Sequence, residues 1–200
     1  MEKKIIGVDC DEVLCLLMED FIPKFCKASG LDVKYEEFKE YDLKKYFHIT
    51  EEKYGKLFAE YCKENPKYLK PVPGAREALM KLSEKYRIIL ISGRDEKIWK
   101  EATEYWLNHN LNGVPYEKFI FANDRYCDNE VAKDRPVKSL LCQEEHISIF
   151  IDDRERYVLE CVPVCEDCII FGEYPWTHYG IKEPNVHYCK DWNAVLERLL

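Results

Sequence analysis

Acidic and hydroxyl side chains stand at the ends of three apolar runs in this 200-residue sequence. Asp9 and Asp11 follow the first run, Ser92 follows the second, and Asp152 and Asp153 follow a later one. The carboxyl ends of parallel strands meet at one edge of a sheet, so we expect these side chains to converge there. Several carboxylates in one place repel each other unless a cation neutralises them. Mg²⁺, a hard ion that takes oxygen ligands and bridges to phosphate, fits best.

Carboxylates beside a divalent cation can carry out phosphoryl transfer. One carboxylate attacks phosphorus to form an aspartyl-phosphate, and a second protonates the departing alkoxide and later deprotonates the hydrolytic water. A hydroxyl and a lysine that hold the phosphoryl oxygens complete such a site. Ser92 offers the hydroxyl, Lys138 is the favoured lysine, and Lys133 is the alternative. Each residue taken alone is more typical of a solvated surface position, so the prediction depends on their convergence.

Five short apolar runs predict buried β-strands, because they are rich in β-branched residues and lack polar alternation. These strands are predicted at 4–8, 87–91, 118–121, 147–151 and 168–171. Amphipathic stretches between them predict helices at 73–86, 96–109 and 137–144, and a last helix is predicted to begin at Asp191. The alternation predicts an α/β fold, a Rossmann-like parallel sheet with helices on both faces.

Residues 16–70 interrupt this alternation. The segment contains no predicted strand and carries many Phe and Tyr residues. We therefore expect a helical insert between the first strand and the turn at 71–74. The chain would then consist of a core formed by 1–15 and 71–200, with the insert at 16–70.

The charge balance limits the partners of the protein. The chain has 38 acidic and 30 basic residues, a formal net charge of −8 and a hydrophobic fraction of 46%. That fraction excludes a disordered chain, and the acidic balance disfavours nucleic-acid polymers and anionic membranes. A small phosphomonoester held by a few local cations remains compatible. No apolar stretch is long enough for a signal peptide or a membrane span, so we expect a cytoplasmic protein.

Ten cysteines are many for this length, and a reducing cytoplasm would keep them as thiols. Cys161, Cys165 and Cys168 have metal-like spacing, and Cys189 is a candidate fourth ligand. Structural zinc sites usually show two paired motifs. Buried free thiols are therefore the favoured interpretation, with a metal site as the alternative.

The motifs at the strand ends resemble those of the haloacid dehalogenase-like phosphohydrolase superfamily over nearly the whole chain. Asp9-Cys10-Asp11-Glu12-Val13 resembles its first motif, D-x-D-x-V/T. Ser92, Lys138 and the pair Asp152-Asp153 resemble the second, third and fourth motifs. The likeness is nearest to the 5′(3′)-deoxyribonucleotidase-like group. It includes the segments Pro73-Gly74-Ala75, Ser92-Gly93-Arg94 followed by Thr103 and Trp106, Ile151-Asp152-Asp153, and Tyr174-Pro175-Trp176.

The resemblance implies a catalytic role for four of the matched residues. Asp9 would be the nucleophile and a Mg²⁺ ligand. Asp11 would be the general acid and base, with its backbone carbonyl also on the metal. Ser92 and Lys138 would hold the transferring phosphoryl group.

The resemblance also implies substrate and metal contacts around these four. Gly93 and Arg94 would contact the phosphate or the rest of the substrate. Asp152 would be the third protein ligand of Mg²⁺, and Asp153 would bind the ion directly or stand behind a ligand. Residues 16–70 would form a small helical cap that closes over the leaving group and excludes water.

The function implied is a Mg²⁺-dependent phosphomonoester hydrolase with an aspartyl-phosphate intermediate, a 5′-nucleotidase acting on nucleoside or deoxynucleoside monophosphates. A phosphatase for another small phosphate, such as a sugar phosphate, is the alternative. A metal-independent dehalogenase and a phosphate-binding protein without turnover are less favoured, because Asp11 and the acidic pair at 152–153 are present. The oligomeric state is not predicted.

Three positions depart from the group's pattern. Glu12 stands where many relatives have Gly and adds an acidic residue beside the site. Leu17 replaces an aromatic residue that stacks on the base, and Thr177 replaces the Asn of a P-W-N segment. Other aromatic residues of the insert offer stacking instead, although core packing is the favoured role for them. These are Tyr41, Tyr46 and Phe47.

Overall fold

A six-stranded parallel sheet forms the centre of the protein. The computed structural model describes residues 3–39, 46, 48–64, 66–123 and 136–200. The strands lie side by side in the order β3-β2-β1-β4-β5-β6. They are β1 (Ile5–Asp9), β2 (Arg87–Ser92), β3 (Lys118–Phe121), β4 (Ile147–Asp152), β5 (Asp167–Phe171) and β6 (Val186–Cys189). The predicted Rossmann-like α/β fold is confirmed.

Seven α-helices are described, and side-chain caps fix the start of two of them. They are α1 (Leu17–Ser29), α2 (Glu51–Glu64), α3 (Ala75–Lys85), α4 (Glu96–Asn110), α5 (Val137–Glu144), α6 (Glu155–Cys161) and α7 (Trp192–Leu199). Asp95 accepts a hydrogen bond from the backbone N–H of Lys97 at the start of α4. Asp191 does the same for Ala194 at the start of α7, where the sequence predicts a cap.

Alternate side chains of the strands enter two apolar clusters, one on each face of the sheet. In β2, Ile88 and Leu90 join one cluster, whereas Ile89 and Ile91 join the other. Helices α3, α4 and α7 contribute to the first cluster and α5 and α6 to the second. The helices therefore cover both faces, as the apolar runs predicted.

The last residues of three strands lie along the carboxyl edge of this sheet. Asp9 ends β1, Ser92 ends β2 and Asp152 ends β4, and β1 lies between the other two strands. Parallel pairing places Asp9 opposite Ile91. The strand order therefore places these three strand ends next to one another, which the sequence analysis had to assume.

The segment between β1 and α3 packs on the first face through aromatic side chains. The ring of Phe21 in α1 contacts those of Tyr61 and Phe58 in α2, with centroids 4.8 and 5.6 Å apart. At its two ends the backbone N–H of Leu16 donates to the carbonyl of Lys70 at 2.9 Å. The chain thus leaves and rejoins the core at one place.

Strand β6 is absent from the five strands predicted. Its four residues, Val186–Cys189, form the outer edge of the sheet, and His187 and Tyr188 remain partly exposed. An edge strand needs no continuous apolar run, so its signal in the sequence is weak. Over the described ranges, no helix combines the length and the apolar character that crossing a membrane requires.

Candidate active site

Lys138 joins the ends of two neighbouring strands. Its ammonium Nζ donates to Asp9 Oδ1 and to Asp152 Oδ2, each at 2.5 Å, and all three side chains are buried. Lys138 lies in the first turn of α5, and the ring of Tyr157 in α6 lies 4.5 Å from its Nζ. Lys138, the favoured of the two candidate lysines, thus contacts the carboxylates. Lys133 lies outside the described residues.

Burial and charge shift the pKa values of these groups. Burial, together with repulsion from Asp152 and Asp11, raises the pKa of Asp9 to about 7, although Lys138 opposes the shift. Burial alone would lower the pKa of Lys138, but the two carboxylates beside it raise it above its ordinary value. Lys138 is therefore charged at neutral pH, and Asp9 is poised to exchange a proton for a cation.

Asp153 adds a third carboxylate to this corner. Asp9, Asp152 and Asp153 each place a carboxylate oxygen within 4.8 Å of the others. The indole N–H of Trp176 donates to Asp153 Oδ2 at 2.8 Å. Burial and the charges of Asp152 and Asp9 nevertheless raise the pKa of Asp153 well above its usual range. Oxygen donors in this number and this close together fit a hard divalent cation such as Mg²⁺.

Asp11 belongs to a second corner, where Arg94 holds it. Arg94 Nη2 donates to Asp11 Oδ1 at 2.6 Å, and Nε lies 3.1 Å from both carboxylate oxygens. The guanidinium is fixed by a 2.8 Å hydrogen bond from Nη1 to Thr103 Oγ1 and by the ring of Trp99, whose centroid is 4.6 Å away. Arg94 is thus placed against the predicted general acid, although it also borders the cavity described below.

Ser92 ends β2, and Gly93 follows it in the turn that leads to Arg94. Ser92 is fully buried, and its Oγ accepts from the backbone N–H of Arg94 at 3.2 Å. The carbonyl of Gly93 accepts from the side-chain amide of Asn123, which also borders the cavity. The hydroxyl that the sequence places at this strand end therefore lies in the turn that carries Arg94.

Glu12 is buried rather than displayed toward a substrate. Its backbone adopts a φ of 63°, the left-handed region that favours glycine. Oε1 accepts from the backbone N–H of Met18 at 2.6 Å, while Oε2 has no partner among the described residues. Burial and the charges of Asp153 and Asp11 raise the pKa of Glu12 well above its usual range. Burial therefore favours the neutral form of Glu12 over the added charge that the sequence suggested.

The segment 174–177, which follows β5, contacts Glu12 and Asp153. The hydroxyl of Tyr174 donates to the carbonyl of Glu12, and its ring stacks on Trp176 with centroids 5.1 Å apart. Thr177, which stands where the related pattern has Asn, closes the turn: its N–H donates to the Tyr174 carbonyl at 2.9 Å. The Y-P-W segment of the sequence therefore positions Asp153 through Trp176.

A cavity of about 400 Å³ opens above Asp9, Asp11 and Lys138. Its far wall is apolar and aromatic. The residues of that wall are Leu17, Met18, Phe21, Tyr54, Phe58, Ile98 and Trp99. Leu17 thus borders the cavity although it is not aromatic. Tyr46 packs its ring on Phe38 at 4.9 Å, whereas Tyr41 and Phe47 lie outside the described residues.

Four residues around the site receive no role from the sequence. Trp99 and Thr103 anchor Arg94, Tyr157 covers Lys138, and Asn123 holds the carbonyl of Gly93. The sequence points to Thr103 only through the family resemblance. For the others the signal is position alone: Trp99 and Tyr157 lie in the first turn of α4 and α6, and Asn123 is the second residue after β3.

Comparisons with known proteins show the family and the fold of the chain. A sequence model of the family described as 5′ nucleotidase, deoxy (Pyrimidine), cytosolic type C protein matches residues 3–158, which is more than half of the chain. The chain belongs to this family. Because of this membership, the protein is a hydrolase that acts on phosphate monoesters. A comparison with curated proteins gives no match.

Solved structures of haloacid dehalogenase-like hydrolases share the fold at low identity. The family protein SP0104 from Streptococcus pneumoniae superimposes with a TM-score of 0.69 at 13% identity, covering 99% of both chains. The magnesium-bound HAD-hydrolase YfnB from Bacillus subtilis gives 0.58 at 12% identity, covering 100% of this chain and 99% of that one. The L-2-haloacid dehalogenase PA0810 gives 0.57 at 10%, covering 99% of both. At these identities the likeness concerns the fold alone.

Proposed function

We propose that the protein is a Mg²⁺-dependent hydrolase of nucleoside monophosphates that works through an aspartyl-phosphate on Asp9. The observation that supports this most is the buried contact of Lys138 with both Asp9 and Asp152 at the floor of the cavity. The residues proposed as nucleophile, as phosphate-binding cation and as metal ligand thereby contact one another. The matched nucleotidase family supports nucleoside monophosphates as the substrate class.

Asp9, Asp152 and Asp153, together with the backbone carbonyl of Asp11, are the groups that would hold Mg²⁺. Their oxygens are the donors that this ion prefers, and their mutual repulsion favours a cation. When bound, Mg²⁺ neutralises negative charge so that a carboxylate and a phosphate can approach each other. Lys138 already carries a positive charge between two of these carboxylates. It can hold a phosphoryl oxygen in exchange for one of them.

In the first step an oxygen of Asp9 attacks phosphorus. The new Asp9–phosphorus bond forms while the bond from phosphorus to the ester oxygen breaks. Asp11 gives its proton to the departing oxygen, so the nucleoside leaves as a neutral alcohol. Arg94 fixes the orientation of the Asp11 carboxyl through its two-nitrogen contact. Ser92 and Lys138 hold the phosphoryl oxygens.

In the second step water hydrolyses the aspartyl-phosphate. Asp11, now a carboxylate, takes a proton from the water as the water oxygen attacks phosphorus. The Asp9–phosphorus bond breaks, free phosphate leaves, and the carboxylate of Asp9 is restored. Both residues end the cycle as they began it.

Residues 16–70 form the cap over this chemistry. The segment joins the core at one place, at Leu16 and Lys70, and contributes Leu17, Phe21 and Phe58 to the cavity wall. A wall of this kind excludes water from the leaving group. It also offers flat apolar surfaces to a nucleobase, and stacking of a base on an aromatic ring contributes about 1–3 kcal/mol.

Phosphate release from a panel of substrates tests the proposal. The panel contains pyrimidine and purine nucleoside monophosphates with ribose and deoxyribose, sugar phosphates and a generic aryl phosphate, each with Mg²⁺ and with EDTA. We expect turnover to require Mg²⁺, and kcat/KM for the best nucleotide to exceed that for sugar phosphates by about tenfold or more. Equal turnover of sugar phosphates would overturn the substrate class. Activity that persists in EDTA would overturn the metal dependence.

A further inference from the structure

We propose that Trp176 is a positioning residue of the Mg²⁺ site. Its indole holds the Asp153 carboxyl in place for the ion, and aromatic side chains of the 16–70 segment hold the indole. The ion belongs to the proposed function, so this inference rests on that function and adds a residue to it. Trp176 follows β5 and thus lies outside the strands that end in Asp9 and Asp152.

One hydrogen bond joins Trp176 to the acidic corner. Its indole N–H donates to Asp153 Oδ2 at 2.8 Å, and both residues are buried, with exposures of 5% and 2%. Carboxylate oxygens of Asp9, Asp152 and Asp153 lie within 4.8 Å of one another, so their repulsion acts to turn these groups apart. The indole nitrogen is a donor only, so it opposes that movement and adds no negative charge. The bond therefore fixes the orientation of the Asp153 carboxyl relative to the other two.

The turn that carries Trp176 is itself closed and anchored. The N–H of Tyr174 donates to Thr177 Oγ1 at 3.2 Å, in addition to the backbone bond between these two residues. The ring of Tyr174 is stacked on the indole at an interplanar angle of 12°, and its hydroxyl donates to the carbonyl of Glu12. Gly172 has a φ of 87°, and a Cβ built there would lie 2.2 Å from the Tyr174 ring, so this close approach requires glycine. The turn thus links the loop that follows β1 with the loop that follows β4.

Two aromatic residues of the 16–70 segment pack against the same indole. The ring of Tyr35 lies 6.1 Å from it between centroids at an interplanar angle of 90°, and the ring of Phe38 lies 6.4 Å from it at 74°. Both are edge-to-face contacts, an arrangement that aromatic pairs prefer. The N–H of Phe38 donates to the carbonyl of Tyr35 at 3.1 Å, which holds the two residues in one short turn. The 16–70 segment therefore contacts the acidic corner through Trp176, in addition to lining the cavity.

These contacts predict an effect of Trp176 on the affinity for the ion. Hydrogen-bond partners that stand behind metal ligands fix the orientation of the ligands, and the loss of one weakens metal binding by about 10- to 100-fold. Trp176→Phe keeps an aromatic ring for the packing contacts and removes the donor, so it isolates the hydrogen bond. Phe38→Leu does the reverse, because it keeps the donor and loosens the packing that holds the indole.

Titration calorimetry of Mg²⁺ into the metal-free full chain tests the proposal without using enzyme activity. We expect the dissociation constant for Mg²⁺ to rise about tenfold or more in Trp176→Phe, and by a smaller factor in Phe38→Leu. Trp106→Phe is the matched control, since it removes another buried indole whose N–H donates to the carbonyl of Leu69 at 2.7 Å. It should keep the wild-type constant. In phosphate release, Trp176→Phe should raise the half-saturating Mg²⁺ concentration and change kcat at saturating Mg²⁺ much less.

The outcomes separate this proposal from the proposed function. If the wild type binds Mg²⁺ and folded Trp176→Phe binds it equally well, positioning by Trp176 is overturned while the Mg²⁺ dependence stands. Equal weakening in Trp106→Phe also overturns it, because general loosening would then be the cause. If the wild type binds no Mg²⁺, both proposals fail. Thermal unfolding checks that each variant folds. If Trp176→Phe does not fold, Phe38→Leu decides, and an unchanged constant in that variant overturns the proposal.

Discussion

Lys138 and Arg94 are both buried cations that pair with carboxylates of the proposed active site, but they do so in different ways. Lys138 divides one ammonium between Asp9 and Asp152 at equal distances of 2.5 Å. Arg94 directs Nε and Nη2 of its guanidinium to Asp11, with Nη2 also 3.2 Å from Cys15 Sγ, and Thr103 accepts from the third nitrogen. An ammonium is a compact charge that can turn among partners, whereas a guanidinium is a planar fork of fixed geometry.

In the proposed mechanism the two corners therefore have different roles. At the Lys138 corner, charges of both signs must rearrange when a cation and a phosphate enter, and a shared point charge allows that. At the Arg94 corner, a proton must leave from one oriented carboxyl, and the fork together with Trp99 prevents reorientation. The following variants and conditions separate the two roles.

The largest effect that distinguishes the corners is expected for Lys138→Met. The variant removes the cation that holds the phosphoryl group, so kcat/KM should fall by about 10²- to 10³-fold. Lys138→Arg should remain impaired, because a planar fork does not replace a charge shared between two carboxylates. Steady-state phosphate release with a nucleotide measures this. Activity within about threefold of wild type in either variant would contradict the shared-cation account.

Arg94→Lys should reduce kcat by about 10- to 100-fold with little change in KM, because the guanidinium orients Asp11. Thr103→Val is the milder companion variant, since it removes one anchor of the guanidinium and leaves its charge in place. It should lower kcat less than Arg94→Lys does. Steady-state kinetics of both variants separate kcat from KM. A large rise in KM with kcat preserved would instead mean that Arg94 binds the phosphate, as the family resemblance implies.

The stabilisation that Mg²⁺ provides should grow with pH. In the metal-free protein the pKa of Asp9 is raised to about 7, above its unfolded value, so the folded state retains a proton that the unfolded state loses. Metal-free stability therefore falls as the pH rises toward 7. Mg²⁺ binds the ionised carboxylates, so its effect is greater where they are already ionised.

Thermal unfolding with and without Mg²⁺, at pH 5 and at pH 8, measures this difference. Groups outside the site contribute equally to both curves at each pH and cancel. We expect a larger rise in Tm at pH 8. An equal rise at both pH values would show that Mg²⁺ does not compete with protons at Asp9.

The smallest effect is expected at Glu12. Glu12→Gln keeps an oxygen that can accept from the N–H of Met18 and keeps the side chain neutral, so stability should change little. Glu12→Ala removes that acceptor and should cost about 1 kcal/mol. Urea unfolding of both variants measures the difference. Equal loss in both would mean that the ionised carboxylate is required.

The sequence predicted those features that follow from the local pattern of residues. Apolar runs followed by Asp9, Ser92 and Asp152 determine both the strands and the edge at which their last residues meet. The partner of Arg94 could not be predicted in this way, because its contact with Asp11 depends on how α4 presents Thr103 and Trp99. Contacts between side chains far apart in the sequence follow from packing, not from local pattern.

The cysteines and the last strand illustrate the same limit. Spacing brought out Cys161, Cys165 and Cys168, but only the three-dimensional fold puts Cys142 beside Cys161 and Cys189 on the opposite face of the sheet. Strand β6 has four residues at the sheet edge, too few and too exposed for an apolar run. In both cases the sequence does not show which sheet face a side chain enters or which strand lies at the sheet edge.

Rapid acid quenching tests the central role of Asp9 most directly. The enzyme is mixed with a nucleoside monophosphate labelled in its phosphate, in Mg²⁺, and quenched within one turnover, with Asp11→Asn included to slow hydrolysis of the intermediate. We expect labelled protein whose label maps to the peptide that contains Asp9, and no label and no turnover in Asp9→Asn. Label on another residue, or wild-type turnover in Asp9→Asn, would contradict it.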